Sequence, residues 1–149
     1  CTLTRSWPNE PPRTTWRRSP AGPRVTSDGT PIDLLPLARE ICARYRHEFP
    51  DEEERYGPEG MEWCLHDNQY LLAWAIQDAR DATVVLSDQA TWLAGVLKAR
   101  DFPIARLARN LEIAGEVLRT SPALGDLAEA VSENLAASAA TVARLPTGP

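Results

Sequence analysis

The chain has 149 residues, of which 43% are hydrophobic and 25% charged, enough apolar content for one core in an ordinary globular domain. Its net charge of −5 argues against general affinity for nucleic acid, which needs a positive surface to displace counterions from phosphates. No apolar run approaches the roughly 20 residues that span a bilayer, and the first residues mix Arg, Pro and Trp rather than forming a signal peptide, so a cytoplasmic protein with no membrane association is expected.

Residues 1–31 differ from the rest. Six of the thirteen prolines fall there, and five arginines stand against Glu10 and Asp28. Proline fixes φ and removes donors, so "WPNEPPRTTWRRSPAGPR" cannot sustain a helix or a central strand, and a disordered tail is expected. The chain starts with Cys1 rather than Met, and Val25 is a candidate alternative start. "RRSPAGPR" could serve as a basic docking arm, although a plain tail is the simpler reading.

Residues 32–145 are expected to form a helical domain of five helices with no strands. Leu35, Ala38, Cys42, Tyr45 and Phe49 step by helical intervals behind Asp33 as N-cap, and Pro50 stops the run. "DEEERYGPEG" reads as a solvated acidic loop. In "GMEWCLHDNQYLLAWAIQDA" the stretch Tyr70–Ile76 is apolar all round, which predicts a helix covered on most sides. A third helix begins near Ser87 or Asp88 as cap and buries Trp92, Leu93, Val96 and Leu97. Asp101 is the expected cap of a fourth, whose stripe is Ile104, Leu107, Ala108, Leu111, Gly115 and Leu118. From about Pro122, Leu124, Leu127, Val131, Leu135, Val142 and Leu145 fall at nearly heptad spacing, with Ser138 in the gap; the Ala- and Ser-rich remainder suits close packing or a partner helix. Short connections between such helices imply an all-α, five-helix globin-like bundle.

No motif names a reaction. Cys1, Cys42 and Cys64 are odd in number without framework spacing, and reduced thiols are expected. Neither paired zinc ligands nor an activated nucleophile can be read from Cys42, His47, Cys64 and His66, so no metal site and no catalytic residue is assigned. His47 is expected to be exposed, and Asp78 and Asp81 to be surface charge. His66, Tyr70 and Ala73 share a helical row with Trp74 beside it, which could line a pocket for a flat conjugated ligand. The plainer alternative is a helix-start histidine satisfied by its neighbours, with Tyr70 and Trp74 as core. Arg106 and Arg109, with Arg100 nearby in sequence, could grip a carboxylate or propionate; solvated arginines are the alternative.

"CLHDNQYLLAWAI", "ATWLAGVLKARDFP" and "LARNLEIAGEVL", taken in order, resemble the helical domain that precedes a cobalamin-binding domain in bacterial sensory proteins, the photocobilin-type photoreceptors. The resemblance covers about residues 33 to 145. It implies a globin-like or phycobiliprotein-like bundle that can hold a tetrapyrrole, a bilin or haem, near His66, with Tyr70, Trp74 and Trp92 as walls and Arg106 available to a propionate. Cys42 and Cys64 become candidate covalent bilin anchors by the same analogy. The family would continue into a cobalamin-binding domain beyond Pro149. Its Asp-x-His-x-x-Gly motif is absent from this sequence, so no cobalamin is expected on this chain.

The resulting expectation is a non-enzymatic sensory or regulatory domain that binds a tetrapyrrole beside its central helix. The competing expectation is a ligand-free interaction module that forms a homodimer through the fifth helix.

Overall fold

Helix begins where the prolines thin out. The structure, a computed structural model, describes residues 26–27 and 30–146, with side chains from residue 31. Of the stretch expected to be disordered, only the end is described: Thr26–Ser27 (β1) and Thr30–Pro31 (β2) pair antiparallel, Thr26 opposite Pro31. Two residues a side bury no face of a sheet. Cys1, Val25 and the "RRSPAGPR" segment lie outside the described residues. Five helices follow: α1 (Leu35–Glu48), α2 (Glu52–Asp81), α3 (Leu86–Ala99), α4 (Ile104–Arg119) and α5 (Ala128–Ala143), the last entered through a 3₁₀ segment, Pro122–Leu127.

In α1 the middle of the expected face, Ala38, Cys42 and Tyr45, is buried together with Ile41, while Leu35 and Phe49 at its two ends are half-buried. Asp33 acts one residue early: its Oδ1 accepts the Leu35 N–H at 3.2 Å. The acidic stretch after Pro50 corrects the loop expectation, because it is the first turn of α2. Glu52, Glu53 and Glu54 sit at the positive end of the helix dipole, where acids are favoured. Gly57 then breaks the helical path at φ 68°, a value that glycine adopts without a Cβ clash. Pro58 restarts the helix, having no N–H to leave unpaired. The Gly-Pro pair is therefore a kink inside one helix, and past it Asn68–Ile76 are all buried, as the apolar run predicts.

Two caps differ from expectation. Asp78, near the end of α2, accepts the Leu86 N–H at 2.8 Å and so caps α3 from the preceding helix; Ser87 and Asp88 lie inside α3. Asp101 closes α3 rather than opening α4. At φ 60° it donates its N–H to Lys98 O at 3.0 Å, while Phe102 N–H reaches Leu97 O at 2.9 Å. That is a Schellman ending, with Phe102 and Leu97 as its apolar pair.

The predicted α4 stripe is fully buried, joined by Ile113, Ala114 and Val117. α4 packs most extensively on α5. Close approach depends on Gly115, where an added Cβ would stand 3.3 Å from the Ser132 carbonyl oxygen; the Ser132 hydroxyl donates to Gly115 O at 2.8 Å across the same contact. Val131, Leu135, Ser138 and Val142 of α5 are buried against the rest of the bundle. The heptad stripe is thus used within the chain, and α5 leaves outside Glu129, Glu133 and five alanines, Ala130, Ala136, Ala137, Ala140 and Ala143. No helix among the described residues is long and apolar enough to cross a membrane.

Candidate functional site

The kink at Gly57 sets the direction of the half of α2 that matters most. Beyond it, Glu59, Trp63 and Asp67 recur every four residues and form one row, with Cys64 and Asn68 alongside. These residues wall a cavity of about 290 Å³. α1 supplies Tyr45, the end of α3 supplies Leu97, Arg100 and Phe102, and α4 supplies Leu107 and Asn110. The volume lies just below the range of about 300–1,000 Å³ usual for small-ligand sites.

The polar groups around the cavity fall into three sets. First, Asn68 and Asn110 exchange amide hydrogen bonds: Asn110 Nδ2 donates to Asn68 Oδ1 at 2.8 Å and Asn68 Nδ2 to Asn110 Oδ1 at 3.1 Å. Asn68 Nδ2 also donates to the Cys64 carbonyl at 3.0 Å and lies 3.6 Å from the sulfurs of both Cys42 and Cys64. Second, Cys42 and Cys64 are paired in a disulfide joining α1 to α2, their Cα atoms 6.2 Å apart. This corrects the expectation of reduced thiols for these residues, and it takes up the sulfurs proposed as bilin anchors. Third, at the inner end Glu52 is only 5% exposed; Arg106 holds it at 3.1 Å, holds Asp51 at 2.9 Å, and lies over the Phe49 ring at 4.5 Å. That clasp ties α4 to the junction of α1 and α2.

Two hydroxyls stand out beside these sets. Tyr45 Oη and Tyr56 Oη are buried and have no hydrogen-bond partner of good geometry. Burial raises both phenolic pKa values, and for Tyr45 the adjacent Glu52 carboxylate raises it further. A buried hydroxyl without a partner is rare, because its desolvation is not offset.

The residues expected to hold a flat ligand are brought together, but in another place. Trp63, His66, Tyr70 and Trp74 form a continuous ring ladder with centroid spacings of 5.7, 4.9 and 5.8 Å. His66 and Tyr70 are each 1% exposed, and His66 Nδ1 lies 3.3 Å from Asp67 Oδ1. Of that ladder only Trp63 lines the cavity; His66, Tyr70, Trp74, Trp92 and Arg106 do not. Trp92, on α3, is partly buried against the core. Arg106 grips carboxylates as its chemistry suggested, but they are the chain's own. Arg109 is likewise engaged, with its Nε at 2.8 and 3.0 Å from the two oxygens of Glu48. Arg100 lies over Trp63 at 5.1 Å, and His47 is exposed.

Sequence reasoning missed Tyr45, Trp63, Asn68 and Asn110 as site residues. Their one sequence signal was polar or amphipathic side chains placed on otherwise buried helix faces. Among the described residues, no group of three or more His, Cys, Asp or Glu side chains is placed to hold a metal ion. No protein-family model, no curated protein and no solved structure matches the chain.

Proposed function

We propose that this domain is a non-enzymatic sensory or regulatory module that takes a small, flat ligand into the cavity between α1, α2, α3 and α4. One observation carries the reading: a largely apolar, aromatic-walled cavity of about 290 Å³ with two buried tyrosine hydroxyls at its border, that of Tyr56 without a hydrogen-bond partner and that of Tyr45 beside the Glu52 carboxylate. An apolar pocket with a few convergent polar groups is the usual form of a small-molecule site. The walls come from four helices, so an occupant would bias how those helices pack, provided it binds two packings unequally.

The narrower form, implied by the resemblance, is a globin-like bundle with a bilin or haem beside His66. It requires Trp63 or Tyr70 to leave the imidazole. We favour the smaller ligand, which leaves the ring ladder intact and fills the cavity with one or two rings.

The test is a fragment screen of the uniformly labelled protein by amide and indole NMR, run beside visible spectra and thermal melts with biliverdin and haem. Small heteroaromatics are expected to shift the Trp63 indole and Asn110 side-chain signals and to raise the melting midpoint by mass action. A midpoint and spectrum indifferent to every fragment would abandon this proposal in favour of the interaction module, for which the outward alanines of α5 are the available surface. Capture of biliverdin or haem with a visible band lost in His66→Ala would instead support the tetrapyrrole form.

A further inference from the structure

The disulfide between α1 and α2 is unequal at its two ends. Cys42 is 1% exposed and does not line the cavity, whereas Cys64 is half-buried and forms part of the cavity wall. Thiol–disulfide exchange needs a thiolate to reach one of the two sulfurs, so access decides which is attacked. Here the reachable sulfur is that of Cys64, and Cys42 is the one that leaves.

A thiolate released in a buried place is unfavourable unless something offsets its charge. Two groups are placed to do so. Asn68 Nδ2 donates to the sulfurs of both cysteines at 3.6 Å. Arg46 follows Cys42 by one turn of α1, and Gly60 precedes Cys64 by one turn of α2. The Arg46 guanidinium crosses that seam, its Nη2 standing 3.2 Å from where a Cβ on Gly60 would be. A cation close to a cysteine favours its thiolate, and a sulfur that is more stable as thiolate leaves faster. Asn68 is also paired with Asn110 of α4, at 2.8 and 3.1 Å, so the amide that touches the sulfurs is tied to a third helix.

We propose that Cys64 is a site of reversible thiolation by a low-molecular-weight thiol small enough to enter the cavity, with Cys42 as the resolving thiol. This goes beyond the ligand reading and uses the cavity only as an entrance. In the reducing direction the incoming thiolate bonds to Cys64 Sγ as the Cys42–Cys64 bond breaks, and Cys42 leaves as a thiolate that takes up a proton. A second small thiolate then attacks the small-molecule sulfur of the mixed disulfide, releasing the small disulfide and freeing Cys64. The protein gains the two electrons that two small thiols lose. In the oxidising direction Cys42 attacks the mixed disulfide at Cys64, expels the small thiol and restores the bridge.

The test uses the full chain with Cys1→Ser, so that only these two cysteines react, and 2-mercaptoethanol with its disulfide as the probe. Oxidised protein is mixed with excess 2-mercaptoethanol, quenched in acid at intervals and mapped by peptide mass spectrometry. The early mixed disulfide is expected on Cys64, at least tenfold over Cys42. With the probe's disulfide, Cys42→Ser should accumulate the adduct on Cys64, and Cys64→Ser should react at Cys42 at least tenfold more slowly. Arg46→Gln should slow opening of the bridge roughly two- to fivefold at low salt, and the difference should close at about 1 M salt. The Asn110 side-chain NMR signals should shift on reduction and return on reoxidation. An adduct on Cys42, equal rates at the two cysteines, or a bridge that opens no faster than the chain unfolds overturns the proposal. The first and last are read on the intact cysteine pair, so they need no variant that folds poorly. None of these outcomes decides the fragment screen, so the small-ligand reading stands or falls separately.

Discussion

Replacing Asn110 by Ala tests whether the floor of the cavity is built as described. The variant deletes both amide bonds of the Asn68–Asn110 pair, at 2.8 and 3.1 Å, between residues that are 2% and 7% exposed. Each such bond contributes about 1 kcal/mol net, and a buried acceptor left without a partner costs a further ~1–3 kcal/mol. Asn68 Nδ2 keeps its 3.0 Å bond to the Cys64 carbonyl, so the orphaned atom is Asn68 Oδ1. Both residues border the cavity, where a water can enter and recover part of the loss. The expected destabilisation is therefore about 2–3 kcal/mol, read as a fall in the urea midpoint at unchanged m. Asn68→Leu with Asn110→Leu removes donor and acceptor together, so the double variant should cost about 1 kcal/mol or more less than the summed singles. Additivity within about 0.5 kcal/mol would mean that the two amides do not depend on each other, and the pairing would be wrong.

Two of the helical glycines, Gly95 and Gly115, should respond with opposite signs. An added Cβ at Gly95 meets nothing within 4 Å, so Gly95→Ala should raise the stability, read from the melting midpoint, by the helix-propensity gain of about 1 kcal/mol. Gly115→Val, pressed against the Ser132 carbonyl, should lower it by about 2–3 kcal/mol. Reducing the Cys42–Cys64 disulfide reopens a loop with a sequence separation of 22, and oxidised protein should exceed reduced protein in stability by about 3 kcal/mol; identical urea midpoints with and without reductant would refute the pairing. The Arg106 hydrogen bond holds the Asp51 carboxyl below its ordinary range. Its stabilising contribution is thus complete above the unfolded pKa of about 3.9 and is lost as pH falls through the lower folded value. In Arg106→Gln the Asp51 carboxyl-carbon NMR titration should move up toward the ordinary midpoint, with Arg55 still holding it somewhat down, and an unmoved midpoint would break the assignment.

Legibility followed the range of the interaction. The α4 stripe was readable because one helix period decides it and tertiary contacts agree. Tyr70–Ile76 was readable because an all-round apolar run has no face that can be left in water. The Gly57–Pro58 pair was misread because the same two residues serve a loop or a kink equally well. A φ of 68° followed by a proline at a helix start can be told from a turn only by what lies beyond it. Asp78 reaches Leu86 across eight residues, and local capping rules extend only three or four. Cys42 and Cys64 are 22 residues apart on different helices, where no spacing rule applies.

The cavity was missed for a more specific reason. Around α2 the row of Glu59, Trp63 and Asp67 and the row of His66, Tyr70 and Trp74 are offset by only about 60° at 3.6 residues per turn. From the sequence the second row looks richer, since it is aromatic and contains the histidine. Which row meets open space is decided by the neighbouring helices. The second row closes on itself, ring against ring, with centroids 4.9 and 5.8 Å apart. The first row faces the place where α3 stops in its Schellman turn and α4 has yet to begin. There Leu97, Phe102 and Leu107 enclose a volume without filling it. Trp63 belongs to both, as the end of the ladder and as a wall of the cavity. A ligand resting on its indole would therefore press on His66 through ring contact, giving the buried histidine a path to the site without lining it.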